Sequence, residues 1–152
     1  MSILQVENLR TGYGEIEVLW SISLDVQDKG VTALLGSNGA GKSTFLHTVT
    51  GLQKAWSGTL RLDSADITNA APHRRVDMGI SLVPEGRRIF TEMTVLENLL
   101  MGAYTKKARS SLKESLEEVY QLFPVLKERT QQRGGTLSGG EQRMLELARV
   151  LM

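Results

Sequence analysis

The stretch GSNGAGKST, Gly36 to Thr44, places Gly36, Gly41, Lys42 and Ser43 at the spacing G-x-x-x-x-G-K-[ST]. A turn of this composition lets the backbone N–H groups of Gly36, Ser37, Asn38, Gly39, Ala40 and Gly41 converge on phosphate oxygens, and the positive end of a following helix favours the anion. Lys42 supplies a charge toward β- and γ-phosphates, Ser43 an oxygen ligand for Mg²⁺, and Thr44 a second hydroxyl near the α-phosphate. An unliganded glycine turn is the plain alternative. The position of the stretch, after an apolar run and at the head of a helical pattern, favours a nucleotide.

A second stretch of the same kind lies at Ser138, Gly139, Gly140 and Glu141. Serine followed three residues later by glutamate is a capping box, so SGGE predicts a helix N-terminus whose free amides and hydroxyl face outward as a second anion site. Taken alone, an ordinary glycine-flanked cap carries about as much weight.

These residues need elements to position them. Val18, Trp20, Ile22, Leu24 and Val26 occupy alternate positions, which predicts a strand with one buried face. GVTALLG (30–36) and ISLVP (80–84) are short apolar runs that predict buried strands, TLRLD (59–63) predicts a short one, and KSTFLHTVTG (42–51) predicts a helix closed by Gly51. From 94 to 135 the pattern turns helical. Thr94 with Glu97 forms a second capping box, and Leu112, Leu116, Val119, Tyr120 and Phe123 recur at helical spacing until Pro124. The expected fold is α/β with an inserted helical part.

Composition narrows the partners. The chain has 152 residues, 41% of them hydrophobic, as an ordinary globular core requires, with a net charge of +1 that gives no global attraction to nucleic acid or an anionic bilayer. TKKARSSLK (105–113) is basic and reads as a solvated face. With no cysteine, disulfides, thiolate metal sites and a cysteine nucleophile are excluded. Neither a leader pattern nor a run of about 18 apolar residues is present, so a soluble cytoplasmic chain is expected.

LSGGEQR (137–143), downstream of the phosphate-loop motif, resembles the signature of ABC-type ATPases, and the likeness runs from LQVENL to LARVLM. The resemblance implies a P-loop fold of ABC type, with an N-terminal antiparallel β part, a helical subdomain carrying the signature, and an incomplete sheet. Residues 1–85 are expected to form the β-rich core with the Walker A loop, 86–137 a mostly helical subdomain and 138–152 the signature helix. In such ATPases two nucleotide-binding domains pack head to tail, and each signature completes the γ-phosphate site of the other. Ser138, Gly139, Gly140 and Glu141 are therefore expected to face the ATP of a homologous or identical partner subunit.

The same resemblance makes Tyr13 the aromatic ring that stacks on adenine. It puts Glu85, in VPEGRRIF, where the family has a Q-loop glutamine, as a ligand of Mg²⁺ and the attacking water. Glutamate there, followed by MTVLENLLMGAY, is similar to ATP-binding subunits of branched-chain amino acid uptake systems of the LivF type. That implies MgATP as cofactor, integral membrane permease subunits as partners, no nucleic acid, and a peripheral place on the inner face of the plasma membrane. The Walker B Asp-Glu pair and switch histidine of the family are not found, and His47 and His73 lie elsewhere, so the expectation is a C-terminally truncated and inactive piece of a transport ATPase. A DNA-repair or chromosome-maintenance ATPase and a non-catalytic, ATP-dependent dimerisation module are the alternatives. The absence of cysteines and of a long insert between the motifs disfavours the first.

Overall fold

The structure, a computed structural model, describes residues 2–86 and 88–152. Its contacts divide the chain into two units, Met1–Ser81 and Leu82–Met152.

In the first unit, β1 (Ser2–Tyr13) and β2 (Ile16–Gln27) form a long hairpin, and β3 (Ser57–Leu62) and β4 (Ala65–Asp66) extend it into an antiparallel sheet of order β2-β1-β3-β4. Between β1 and β3 the chain passes through α1 (Lys42–Val49), and α2 (Pro72–Asp77) follows β4. Leu4, Val6, Leu9 and Leu60 of the sheet pack with Phe45 and Val49 of α1, all buried. The phosphate-loop helix is thus seated on the sheet by its own apolar face.

The expected alternation along β2 is broken. Leu19 is buried, while Trp20 is 72% exposed. The register explains this: from Leu9↔Ile22 to Thr11↔Leu19, β1 advances two residues and β2 three, so β2 carries an extra residue. From Val6↔Leu24 to Leu9↔Ile22 the extra residue is in β1. Asn8 (φ 49°) and Ser21 (φ 56°) take the left-handed conformation at these two bulges. The Ser21 hydroxyl donates to Asn8 Oδ1 at 3.3 Å, and the Asn8 N–H donates to Ser23 Oγ at 2.8 Å. The bulge at Ser21 reverses the alternation at the adjoining residues, so Leu19 enters the core and Trp20 leaves it.

Two expected strands are corrected. Neither 30–36 nor 80–84 is a strand, and the sheet contains neither. A strand exists only where a neighbour satisfies its N–H and C=O groups, and no described segment pairs with either run. Val31 and Leu35 are almost wholly exposed, as unpaired edges imply, whereas Leu34, Leu82 and Val83 are half-buried. The expected strand at 59–63 is present as β3.

The second unit is helical: α3 (Val95–Gly102), α4 (Lys106–Ser110), α5 (Leu112–Leu122), α6 (Pro124–Glu128), a 3-10 turn at Gly134–Thr136 and α7 (Gly139–Leu151). Its core joins Val95 and Leu99 of α3, Val119 of α5, Leu126 of α6, and Leu145 and Ala148 of α7. Pro124 ends α5 as expected and also opens α6, where its missing N–H costs nothing. No helix among the described residues is long and apolar enough to cross a membrane.

Candidate nucleotide site

Gly36 to Gly41 form an open loop that leads into α1. Gly39 (φ 84°) and Gly41 (φ 87°) are left-handed, and a Cβ on Gly41 would lie 2.7 Å from Leu19 Cδ2. Glycine is required at 41 because both backbone and space forbid a side chain. No side chain caps α1, and no acidic residue lies in its first turn, so the positive helix end carries no side-chain partner of its own. The Lys42 ammonium donates to Gly36 O at 2.8 Å and Ser37 O at 2.7 Å, which folds its charge over the loop. Ser43 is exposed at the helix start, while Thr44 is buried.

Among the described residues no cluster of three metal-ligating side chains exists. A single serine hydroxyl suits Mg²⁺ all the same, because that ion keeps its waters and takes phosphate oxygens for most of its shell. The Ser43 hydroxyl therefore fits a nucleotide-borne Mg²⁺.

At the other end of α1, the buried Arg75 of α2 gathers four carbonyls. Its Nη1 donates to Thr48 O (2.7 Å) and Val49 O (2.8 Å), its Nε to Ala70 O (2.9 Å) and its Nη2 to Thr68 O (3.0 Å). Burial holds its guanidinium below the ordinary arginine value, yet the group remains a cation at neutral pH. A positive charge thus sits at the negative end of α1. Sequence reading missed this residue because nothing in PHRRVD distinguishes Arg75 from Arg74.

Tyr13, half exposed, closes β1 beside a two-residue loop whose Gly14 has φ 59°, as tight hairpins require at this position. A bidentate pair, Arg10 Nε to Glu17 Oε1 at 2.6 Å and Nη2 to Oε2 at 2.8 Å, braces this end of the hairpin. The arginine bond holds the Glu17 carboxyl below its ordinary value and raises that of Arg10.

In the second unit both capping boxes form as expected. At α7, Ser138 N–H donates to Glu141 Oε2 (2.8 Å) and Glu141 N–H to Ser138 Oγ (3.4 Å), while Arg129 pairs with Glu141 Oε1 at 3.0 Å. Hydrogen bonds from the Ser138 backbone and hydroxyl, and then the Arg129 charge, hold the Glu141 carboxyl below the usual range. At α3, Thr94 does the same for Glu97. A Cβ on Gly140 would meet nothing within 4 Å, so the face above the first turn of α7 is open.

Glu85 is exposed in a bend at 85–86. Arg88 and Phe90 are tied to α7. The Arg88 N–H donates to Glu146 Oε1 (3.2 Å), Arg149 Nη2 donates to Arg88 O (2.5 Å), and the Arg149 guanidinium lies 5.1 Å from the Phe90 ring centre. Asn98, fully buried, accepts from Phe90 N–H at 2.8 Å and donates to Phe90 O at 2.9 Å. Glu146 and Asn98 are polar residues on the buried faces of α7 and α3, a signal the sequence did carry and that sequence reading passed over.

The ABC transporter family profile matches residues 19–152, which contain both the phosphate loop and the capped signature helix. The chain belongs to the ABC transporter family. It is 41% identical over 150 residues to the high-affinity branched-chain amino acid transport ATP-binding protein BraG of Pseudomonas aeruginosa, covering 99% of this chain and 64% of BraG. It is also 37% identical to the lipopolysaccharide export system ATP-binding protein LptB of Haemophilus influenzae, at 99% and 63% coverage. The solved ADP conformation of MJ1267, an ATP-binding cassette of an ABC transporter, superimposes with a TM-score of 0.84 at 33% identity, covering 99% of this chain and 65% of that one. The chain thus spans a little under two thirds of each of these three proteins. Its fold is that of an ABC cassette, α/β with an antiparallel sheet that is not closed.

Proposed function

We propose that this chain carries the ATP-binding half-sites of an ABC importer subunit for branched-chain amino acids. The observation that carries the reading is the pairing of an uncapped phosphate-loop helix with a self-capped signature helix in one ABC chain similar to BraG. Gly36–Thr44 take the phosphates of MgATP through backbone amides, Lys42 and the hydroxyls of Ser43 and Thr44, and Tyr13 stacks on the base. Ser43, and Glu85 at the Q-loop position, supply oxygens to Mg²⁺, which when bound neutralises phosphate charge. Ser138, Gly139, Gly140 and Glu141 face the nucleotide of a homologous or identical second subunit. ATP then holds the two subunits together, hydrolysis in the whole protein releases them, and cytoplasmic subunits of this kind drive membrane permeases. The similarity to LptB, an export protein, makes the transported solute the part of the reading that most needs a direct assay.

The test uses the full-length protein. Lys42→Ala should lower ATP affinity at least about tenfold, the scale of one charge-assisted contact. Ser138→Arg should leave ATP binding by the monomer intact and abolish ATP-dependent pairing in the analytical ultracentrifuge. Loss of monomer binding in Ser138→Arg would disprove the shared site, and failure of the intact system to take up leucine would remove the solute assignment.

A further inference from the structure

The stretch that leaves α1 returns directly to the end of β1, just before Tyr13. Thr11, fully buried, donates its hydroxyl to Lys54 O at 2.6 Å, and Gln53 Nε2 donates to Gly12 O at 2.5 Å. The Trp56 N–H donates to Arg10 O at 2.8 Å, and the Gln53 N–H is anchored to His47 O of α1 at 3.0 Å. Gly12 has no room for a side chain, since its Cβ would fall 1.9 Å from Ile16 O. α1 is therefore fixed to the Tyr13 turn by the segment after its C-terminus, while its N-terminus bears the phosphate loop.

We propose that Gln53 and Thr11 are positioning residues that set the distance between the base-stacking ring of Tyr13 and the phosphate loop. This rests on the reading that Tyr13 stacks on the base. A nucleoside triphosphate is a ligand of nearly fixed span, so an aromatic ring stabilises it only when held at the matching distance from Lys42 and Ser43. Gln53 and Thr11 touch neither base nor phosphate under this assignment. They act through the backbone of Gly12 and Lys54, and their effect is confined to ligands that carry a base.

That restriction supplies the test. In the full-length protein, affinities for ATP and for inorganic tripolyphosphate are measured with Gln53→Leu, Thr11→Val and Tyr13→Ala. Gln53→Leu and Thr11→Val should each weaken ATP about three- to tenfold, the scale of one lost hydrogen bond, and leave tripolyphosphate within about twofold. Tyr13→Ala should show the same selectivity more strongly. If Tyr13→Ala is selective and the other two variants leave ATP unchanged, the positioning role is wrong and base stacking stands. Equal weakening of both ligands by both variants marks general damage to the fold and overturns the proposal. If Tyr13→Ala itself leaves the ratio of the two affinities unchanged, base stacking falls and the positioning role falls with it.

Discussion

α1 and α7 both begin at a glycine-rich turn, and they are held in opposite ways. α7 caps itself: Ser138 and Glu141 satisfy each other, and the carboxylate sits at the positive helix end. α1 has neither a capping side chain nor an acid in its first turn, and its glycine N-cap leaves the amides open. What α1 lacks locally comes from elsewhere, as Arg75 closes its C-terminal end and Lys42 lies over its own loop. A helix end meant for a tightly bound anion must stay unsatisfied until the anion arrives. Under the proposed function α7 meets its ligand across a subunit boundary, and such a helix end gains from being fully formed beforehand.

The largest expected effect breaks the external support of α1. Arg75→Met removes the arginine donor from four backbone carbonyls, of which Thr48 O keeps the Gly51 N–H, and should cost about 3 kcal/mol in urea unfolding of the full-length protein. A loss under about 1 kcal/mol would mean that the α1 C-terminus finds other partners and the contrast with α7 is overstated.

A smaller effect is expected from the self-capped helix. Ser138→Ala removes the side-chain acceptor for the Glu141 N–H and should cost about 1 kcal/mol, with ATP affinity of the monomer unchanged. An unchanged urea midpoint would show that the backbone and Arg129 suffice to hold α7.

The smallest effect is one of pH. The folded-state pKa of Glu141 is depressed, so its stabilising contribution is complete above the unfolded value, about 4.3, and is lost as pH falls through the lower folded value. Glu141→Gln should flatten the acid limb of stability, and an NMR titration of the Glu141 carboxyl should place its midpoint below that of a free glutamate. A midpoint at or above the free value would separate the carboxylate from its cap.

The sequence alone determined the features whose causes lie within a few residues. The phosphate loop at the head of α1, both capping boxes, Gly51 beyond α1 and Pro124 between α5 and α6 were legible because each depends on backbone geometry or hydrogen bonds spanning one helical turn. The tertiary structure decided what depends on a neighbour distant in the chain. Paired bulges at Asn8 and Ser21 turned Trp20 outward although its spacing predicted burial, because register is a property of two strands. The apolar runs at 30–36 and 80–84 formed no strands, since a ladder needs a partner that composition cannot supply. Arg75 and Gln53 looked like ordinary polar residues until folding set backbone groups from distant segments against them. A hydrogen bond becomes decisive when burial removes the water that would otherwise compete for it.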